Sequence, residues 1–141
     1  MSEQNKALAR RFYEEVFNQK KLGTIDELCA PDFVDHSAMP GQGPGAEGIK
    51  QSFAEMVAGF PDLRVTVHDM IAEGDMLVAR FTLEGTHSGT LMGAAPTGKR
   101  VTWRGMDMVR IKNGRAVEAW HEGNDAEVFL QLGVQPPTAT P

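Results

Sequence analysis

The hydrophobic pattern of the chain changes its period near Pro61, and this change is what most restricts the possible folds. Before Pro61, apolar residues recur every three or four positions, as they do on one side of a helix. After it, apolar and polar residues alternate, as they do on the two faces of a strand. Helices followed by a series of strands are typical of an α+β fold, in which helices pack on a curved antiparallel sheet and enclose a pocket. A length of 141 residues leaves room for one such domain.

Two helices are predicted at the start of the chain. Apolar side chains at helical spacing over residues 8–17 predict the first one. Thr24 and Glu27 have the spacing of a capping box, which predicts a short second helix that Pro31 ends.

A loop and a third helix are predicted next. Residues 33–36 are expected to be extended, and the glycine-rich residues 37–48 to form a mobile loop that acts as a lid. Apolar residues over 49–60 return to helical spacing and predict the third helix.

Four strands and a short final helix are predicted after Pro61. The strands cover residues 63–71, 76–81, 101–111 and 115–122, with turns at 73–75 and 113–114 and a longer loop at 87–99. Asn124 and Glu127 predict the cap of the last helix, which Gly133 ends. We therefore expect one domain over residues 1–134 and a disordered tail over 135–141.

Composition excludes several classes of partner. The net charge of -5 and the scattered basic residues argue against nucleic acid. The chain has one cysteine, Cys29, so an internal disulfide is excluded, and its apolar neighbours predict a buried thiol. We see no leader-like segment and no apolar run near the roughly 20 residues of a membrane span, and therefore expect a cytoplasmic protein that does not contact membranes. Metal-ligand spacings and phosphate-binding loops are absent from the sequence, so no metal and no cofactor are expected.

The outer face of the sheet is expected to be partly apolar. Met106 and Met108 alternate with the aliphatic residues of their strand and therefore lie on the opposite face. A mixed apolar and polar surface of this kind suits contact with a second copy of the chain. We therefore predict a homodimer, with a tetramer as a further possibility.

Two ionisable side chains share the apolar side of the last strands. Asp107 has the same parity as Trp103 and Val109, and His121 has the same parity as Val117. A buried charge is costly unless it is paired or used in chemistry. The two side chains are thus candidates for a catalytic pair, with a purely structural pair as the alternative.

The turn between these strands decides whether the pair meets. A two-residue loop at 113–114 would turn His121 away from the face of Asp107. A three-residue loop at 112–114 would pair Asp107 with Ala119 and bring His121 diagonally opposite Asp107. We expect the three-residue loop.

Further candidates lie on the other elements. His36 is expected at the mouth of the cavity beside the flexible loop, with an exposed loop histidine as the alternative. Tyr13 is expected on the inner side of the first helix, where its hydroxyl needs a partner, either as a donor in the pocket or as a core residue bonded to water or backbone. His87 shares the apolar parity of its strand and is a candidate for the pocket mouth. Apolar contacts with a substrate are assigned to the aromatic residues Phe12, Phe53, Trp103 and Trp120.

Several segments together resemble the SnoaL-like polyketide cyclases, also called ester cyclases, in the superfamily of ketosteroid isomerase and nuclear transport factor 2. They are FVDH at 33–36, FPDL at 60–63, GTHSG at 85–89, APTGK at 95–99, RIKNGR at 110–115, EAW at 118–120 and QLG at 131–133. The resemblance runs nearly end to end. It implies a cone-shaped α+β fold and ring closure by an intramolecular aldol step that needs no metal.

The resemblance also implies roles for individual residues. In the cyclases, an Asp and a His on the last two strands transfer the proton, and Asp107 and His121 lie there with the two residue types exchanged. Similarity to ketosteroid isomerase places Asp107 where an oxyanion-stabilising Asp lies and Tyr13 where a phenol donor lies. In that enzyme the Asp is a buried carboxylic acid that stays neutral and donates a hydrogen bond. The general base of the isomerase falls close to Asp35 or His36.

These observations favour a cofactor-free enzyme that moves a proton next to a carbonyl of a small apolar molecule. His121 or His36 would be the base, Asp107 its partner or a protonated donor, and Tyr13 a further donor. A non-catalytic domain for ligand binding or dimerisation is the main alternative. Steroid-type isomerisation and epoxide hydrolysis, which would use Arg104 with Asp107, are further alternatives.

Overall fold

The computed structural model describes residues 2–135 of the chain. Its helices are α1 (Ser2–Phe12), α2 (Thr24–Leu28), α3 (Gly45–Gly59) and α4 (Ala126–Leu132), and a π-helical segment (Tyr13–Asn18) continues α1. Its strands are β1 (Cys29–Asp35), β2 (Arg64–Glu73), β3 (Met76–Thr86), β4 (Arg100–Lys112) and β5 (Arg115–Gly123). The order of helices and strands confirms the predicted α+β class. Most of the predicted tail, residues 136–141, lies outside the described residues.

The strands form one curved, open sheet in the order β1-β5-β4-β3-β2. The last four strands are antiparallel neighbours, as predicted. Residues 33–35 of the predicted extended piece belong to the longer β1, and His36 follows it in a turn. β1 pairs parallel to β5 and so departs from an all-antiparallel sheet. Because β1 joins β5, the residues that follow it lie beside the end of β5.

The connection between β4 and β5 differs from both predicted registers. It is a two-residue turn with left-handed backbone at Asn113 (φ 53°) and Gly114 (φ 75°), so the expected three-residue loop is wrong. A β-bulge at Val117 then inserts one extra residue into β5. The bulge shifts the register by one, and Asp107 pairs directly with His121.

Two of the predicted helix caps are also wrong. The side chain of Thr24 donates to Glu15 on the preceding segment at 2.9 Å instead of capping α2. The helix ends at Leu28, and Pro31 lies inside β1. At the other end of the chain, Asn124 accepts a hydrogen bond from the backbone N–H of Arg104 at 2.8 Å instead of capping α4.

The boundaries of the remaining helices follow from local backbone geometry. α3 begins at Gly45, inside the predicted loop, so that the loop is shorter than expected. α4 ends at Gly133, whose left-handed backbone (φ 72°) confirms the predicted stop. Among residues 2–135, the helices are all too short or too polar to cross a membrane.

The buried side chains form two clusters that meet at Phe12, Phe53 and Val109. One packs α1, the π-helical segment and α4 against β2, β3 and β4. The other joins α2, β1, α3 and β5. The space between the helices and the sheet is not completely filled, and this leaves the cavity described next.

Candidate active site

A cavity of about 260 Å³ lies between the helices and the inner face of the sheet. Apolar residues make up most of its wall, and they include Phe12, Phe53 and Trp103, three of the four aromatic residues expected to contact a substrate. Trp120 also borders the cavity, but it pairs with Met108 of the outer face and its ring stacks on His36, so its side chain is not placed to contact a substrate as predicted. Polar residues from several elements also line it: Tyr13, Asp35, Ser37, Gln42, Ser52, Asp107, His121 and Asp125. An apolar cavity with a few convergent polar groups is the usual form of a small-molecule site.

Four polar side chains form a continuous hydrogen-bonded chain at this cavity. The hydroxyl of Tyr13 donates to Asp107 Oδ2 at 2.7 Å, and His121 Nδ1 lies 2.7 Å from Asp107 Oδ1. His121 Nε2 lies 2.5 Å from Asp125 Oδ2. The structure thus brings together three of the predicted site residues, and it adds Asp125, which the sequence analysis missed.

The local fold explains why these groups converge. The π-helical segment begins at Tyr13, and such segments occur frequently at functional sites. The bulge at Val117 turns His121 to the inner face of the sheet. Ser37, just after β1, accepts from the backbone N–H of His121 at 2.8 Å and donates to its carbonyl at 3.1 Å, which holds the end of β5 in place.

The two carboxylates determine the charge of His121. Hydrogen bonds to Asp107 and Asp125 raise the pKa of His121 to about 10, because both stabilise the imidazolium form. Burial and the neighbouring Asp107 carboxylate raise the pKa of Tyr13 well above its usual value. At neutral pH, His121 is therefore a cation that donates from both ring nitrogens, and Tyr13 is a neutral donor.

Comparison with known proteins places the chain in a family. The model of the SnoaL-like polyketide cyclases matches residues 7–132. The chain belongs to this family. Its fold is that of the superfamily of ketosteroid isomerase and nuclear transport factor 2, which confirms the resemblance seen in the sequence. No curated protein matches the chain at a significant level.

Solved structures similar to this SnoaL-like protein share its whole fold. AclR from Streptomyces galilaeus, a proposed hydroxylase, is 29% identical, with 96% of this chain and 100% of AclR covered and a TM-score of 0.84. IdmH from Streptomyces antibioticus, a proposed polyketide cyclase, is 34% identical, with 92% and 98% covered and a TM-score of 0.78. A SnoaL-like protein from Jannaschia sp. CCS1 is 23% identical, with 96% and 95% covered and a TM-score of 0.85, and this likeness concerns the fold alone.

Two of the predicted site histidines lie away from the cavity of this SnoaL-like protein. His36 is exposed and stacks on Trp120 with a ring-centre distance of 4.6 Å, and its Nε2 lies 2.8 Å from Glu118. His87 is fully buried but does not line the cavity, and its Nδ1 accepts from the backbone N–H of Thr97 at 3.2 Å. His36 lies outside the cavity because it follows β1, whose parallel pairing with β5 places it beside Trp120.

The cavity also contains groups that the alternation of residues did not reveal. Asp35 and Cys29, on β1, both line it, and burial raises the pKa of the Cys29 thiol to about 12, so the thiol stays protonated. Arg104 is exposed and lies away from the cavity, which argues against an Asp-Arg-Asp site for epoxide hydrolysis. Within residues 2–135, no three His, Cys, Asp or Glu side chains are grouped so as to hold a metal ion.

The charge on His121 predicts how stability depends on pH. In the folded state, the pKa of His121 is raised from 6.5 to about 10. The protonated imidazole therefore adds its full contribution to the free energy of unfolding below pH 6.5, and this contribution is lost as the pH rises to about 10. His121→Gln is therefore expected to reduce the decline in the free energy of unfolding between about pH 6 and pH 9. One titrating group can change the free energy of unfolding by at most about 1.4 kcal/mol per pH unit. We expect a smaller slope here, because solvent screens the partly exposed ion pairs of His121.

The measurement is urea denaturation of the purified protein across this pH range. His68→Gln is the matched control, because His68 is exposed and bonds only to the hydroxyl of Thr82 within the described chain. The control is expected to keep the wild-type slope. Equal slopes for wild type and His121→Gln would show that His121 is not held as a cation.

Proposed function

We propose that this SnoaL-like protein is a cofactor-free acid–base enzyme that moves a proton next to a carbonyl of a small apolar molecule, with aldol cyclisation as the favoured reaction. The observation that carries the proposal is the hydrogen-bonded series Tyr13–Asp107–His121 at an otherwise apolar cavity. Apolar walls strengthen the electrostatic effect of such groups and hold an apolar substrate by contact.

The charges of the groups indicate which one is the base. His121 is already protonated at neutral pH, because its pKa is raised to about 10, and so it cannot accept the proton of the substrate. Asp107 is the carboxylate that both Tyr13 and His121 contact, and it is the base in our proposal. Tyr13 and His121 are the donors that orient Asp107 and stabilise developing negative charge.

The proposed reaction balances without another reactant. Asp107 removes a proton from the carbon next to a carbonyl, and the electron pair of the C–H bond forms an enolate whose oxygen is stabilised by hydrogen bonding. The enolate carbon attacks a second carbonyl in the same molecule and forms the new C–C bond. The resulting alkoxide takes the proton back from Asp107, which regenerates the carboxylate.

Isotope exchange tests the first step without knowledge of the natural substrate. The protein is incubated in D₂O with a panel of β-keto esters and diketones, and deuterium at the carbon next to the carbonyl is measured by mass spectrometry. We expect exchange above the buffer rate with at least one apolar member of the panel. If every compound exchanges at the buffer rate and is recovered unchanged while binding to the protein, the chain is a small-ligand-binding domain instead.

Hydroxylation is a second candidate function, because AclR, which is 29% identical over its whole length, is a proposed hydroxylase. The same apolar cavity would then hold an aromatic or polyketide substrate. Incubation under labelled O₂ with an added two-electron reductant distinguishes the two candidates. Label in the product would favour hydroxylation, whereas cyclisation leaves the oxygen atoms of the substrate unlabelled by O₂.

A homodimer is part of the proposal, with the outer face of the sheet as the contact. Met106 and Met108 on β4 are 46% and 43% exposed, and both lie on that face. Large exposed apolar side chains on a sheet face are typical of protein contacts. Sedimentation equilibrium is expected to give twice the mass of the chain for wild type and a smaller average mass for the double change Met106→Glu and Met108→Glu. A wild-type mass equal to that of one chain at micromolar concentration would contradict the proposal.

A further inference from the structure

Asp125 holds the second nitrogen of His121. The Asp125 carboxylate lies 2.5 Å from His121 Nε2, and it borders the same cavity as Asp107. Nδ1 is held by Asp107 in turn. Both N–H groups of the imidazolium are therefore occupied by carboxylates, and a substrate oxygen can reach one of them only by replacing its carboxylate.

The two carboxylates are anchored very differently. Asp107 lies inside β4, its side chain is 21% exposed, and its second oxygen accepts from the buried hydroxyl of Tyr13. Asp125 lies just before α4, its side chain is 47% exposed, and within residues 2–135 its carboxylate bonds to His121 alone. A rotation of the Asp125 side chain towards water breaks one contact, whereas displacement of Asp107 breaks two and leaves Tyr13 without an acceptor.

We infer that Asp125 is a displaceable cap, and that a substrate oxygen takes its place on His121 Nε2–H. This inference rests on the proposed function, since it assigns the donor that stabilises the enolate oxygen. It places the substrate oxygen on which negative charge develops at His121 Nε2–H, with Asp107 at the other nitrogen as the fixed base.

The cap also selects the chemical class of the ligand. An oxygen that replaces a carboxylate has to compete with a charged acceptor, and charged acceptors form much stronger hydrogen bonds than neutral ones. Asp35, Asp107 and Asp125 give the cavity three carboxylates beside one imidazolium, and within the described chain no Lys or Arg lines it. The ligand class is therefore an apolar molecule with one acidic oxygen, such as an enolised 1,3-dicarbonyl compound or a phenol.

Binding of 4-nitrophenol tests the inference, because its phenol and phenolate forms differ in absorption. The titrations are done at about pH 6, where His121 is protonated even with an ordinary pKa. Asp125→Asn is expected to lower the Kd of 4-nitrophenol at least tenfold and to increase the bound phenolate fraction, because the competing carboxylate is gone. In the wild type, binding is expected to move the ¹⁵N resonance of His121 Nε2 more than that of Nδ1.

Asp35→Asn is the matched control for charge. Asp35 also lines the cavity, but it bonds to Ser37 and Gln42 and not to His121. If removal of negative charge acts only through space, both variants lower the Kd by similar factors, and the cap is refuted. Asp35→Asn is expected to lower the Kd by a clearly smaller factor than Asp125→Asn. An unchanged or higher Kd in Asp125→Asn also refutes the cap.

The outcome is separable from that of the proposed function. If Asp125→Asn leaves binding unchanged while the wild type still exchanges deuterium into a substrate, the cap is wrong and the acid–base function stands. If the variant tightens binding while the wild type catalyses no exchange with any compound, the cap describes a ligand site and the acid–base function is wrong.

Discussion

Asp107→Asn is expected to lower the rate of deuterium exchange into a substrate by about 10²–10⁴-fold, the usual effect of removing a general base. The amide has nearly the shape of the carboxylate but cannot accept a proton from carbon. It also cannot accept from Tyr13 and His121 with both of its polar groups, since one of them is now a donor. The effect should therefore appear in kcat, with a smaller change in KM.

Asp69→Asn is the matched control for this variant. Asp69 is an exposed carboxylate on β2 that pairs with Arg80, far from the cavity wall. We expect the control to exchange deuterium at the wild-type rate. An Asp107→Asn protein that is folded, by circular dichroism, and within threefold of the wild-type rate would exclude Asp107 as the base.

Gly105→Ala is expected to reduce the exchange rate by about 10²-fold or more, the size of effect that follows from misplacing a reacting group. A methyl group at Gly105 would lie 2.7 Å from His121 Cε1 and 3.1 Å from the ring of Phe81. Phe81 is buried in the core, so we expect the imidazole to be displaced and its contacts with Asp107 and Asp125 to weaken. The same crowding is expected to cost about 1–3 kcal/mol of stability, the usual cost of overpacking.

Gly23→Ala is the matched control, because a methyl group at Gly23 would meet no atom within 4 Å and its φ of -61° suits alanine. It is expected to keep both activity and stability. In Gly105→Ala, the ¹⁵N resonances of His121 should shift towards those of an ordinary neutral histidine as its contacts weaken. Wild-type resonances together with wild-type activity would show that the space beside Gly105 is not needed for the position of His121.

The position of Asp107 could be read from alternation along its strand, whereas that of His121 could not. Asp107 lies in a regular strand, where every second side chain meets the same face, and its neighbours are apolar. His121 follows the bulge at Val117, and a bulge reverses the parity of every later residue. Alternation after the bulge correctly places the side chains of His121 and Ala119 on the same face. Alternation counted from the turn at 113–114, without the bulge, places His121 on the opposite face from Asp107.

The positions of Asp125 and His36 also could not be predicted from the local sequence pattern: Asp125 lies at the cavity although it was not predicted there, and His36 lies outside although it was predicted at the mouth. Asp125 lies four residues after His121, but the spacing is meaningful only because β5 ends at Gly123 and the chain turns back over the cavity. His36 lies beside a loop and looked suited to a cavity mouth, yet the parallel pairing of β1 with β5 places it on Trp120 outside. Neither outcome follows from local pattern, because both depend on contacts between distant segments.

The sequence by itself determined the class of fold, the inward parity of Asp107 and the family, because periodicity and short motifs are properties of neighbouring residues. The tertiary structure alone decided which polar groups share one proton network. The π-helical segment at Tyr13, the bulge at Val117 and the absence of a side chain at Gly105 together bring Tyr13, Asp107, His121 and Asp125 to one cavity. The π-helical segment and the bulge change the direction of a side chain by a fraction of a turn or by one residue of register. Such changes depend on how the helices and strands pack against each other, and not on the order of residues within a single helix or strand.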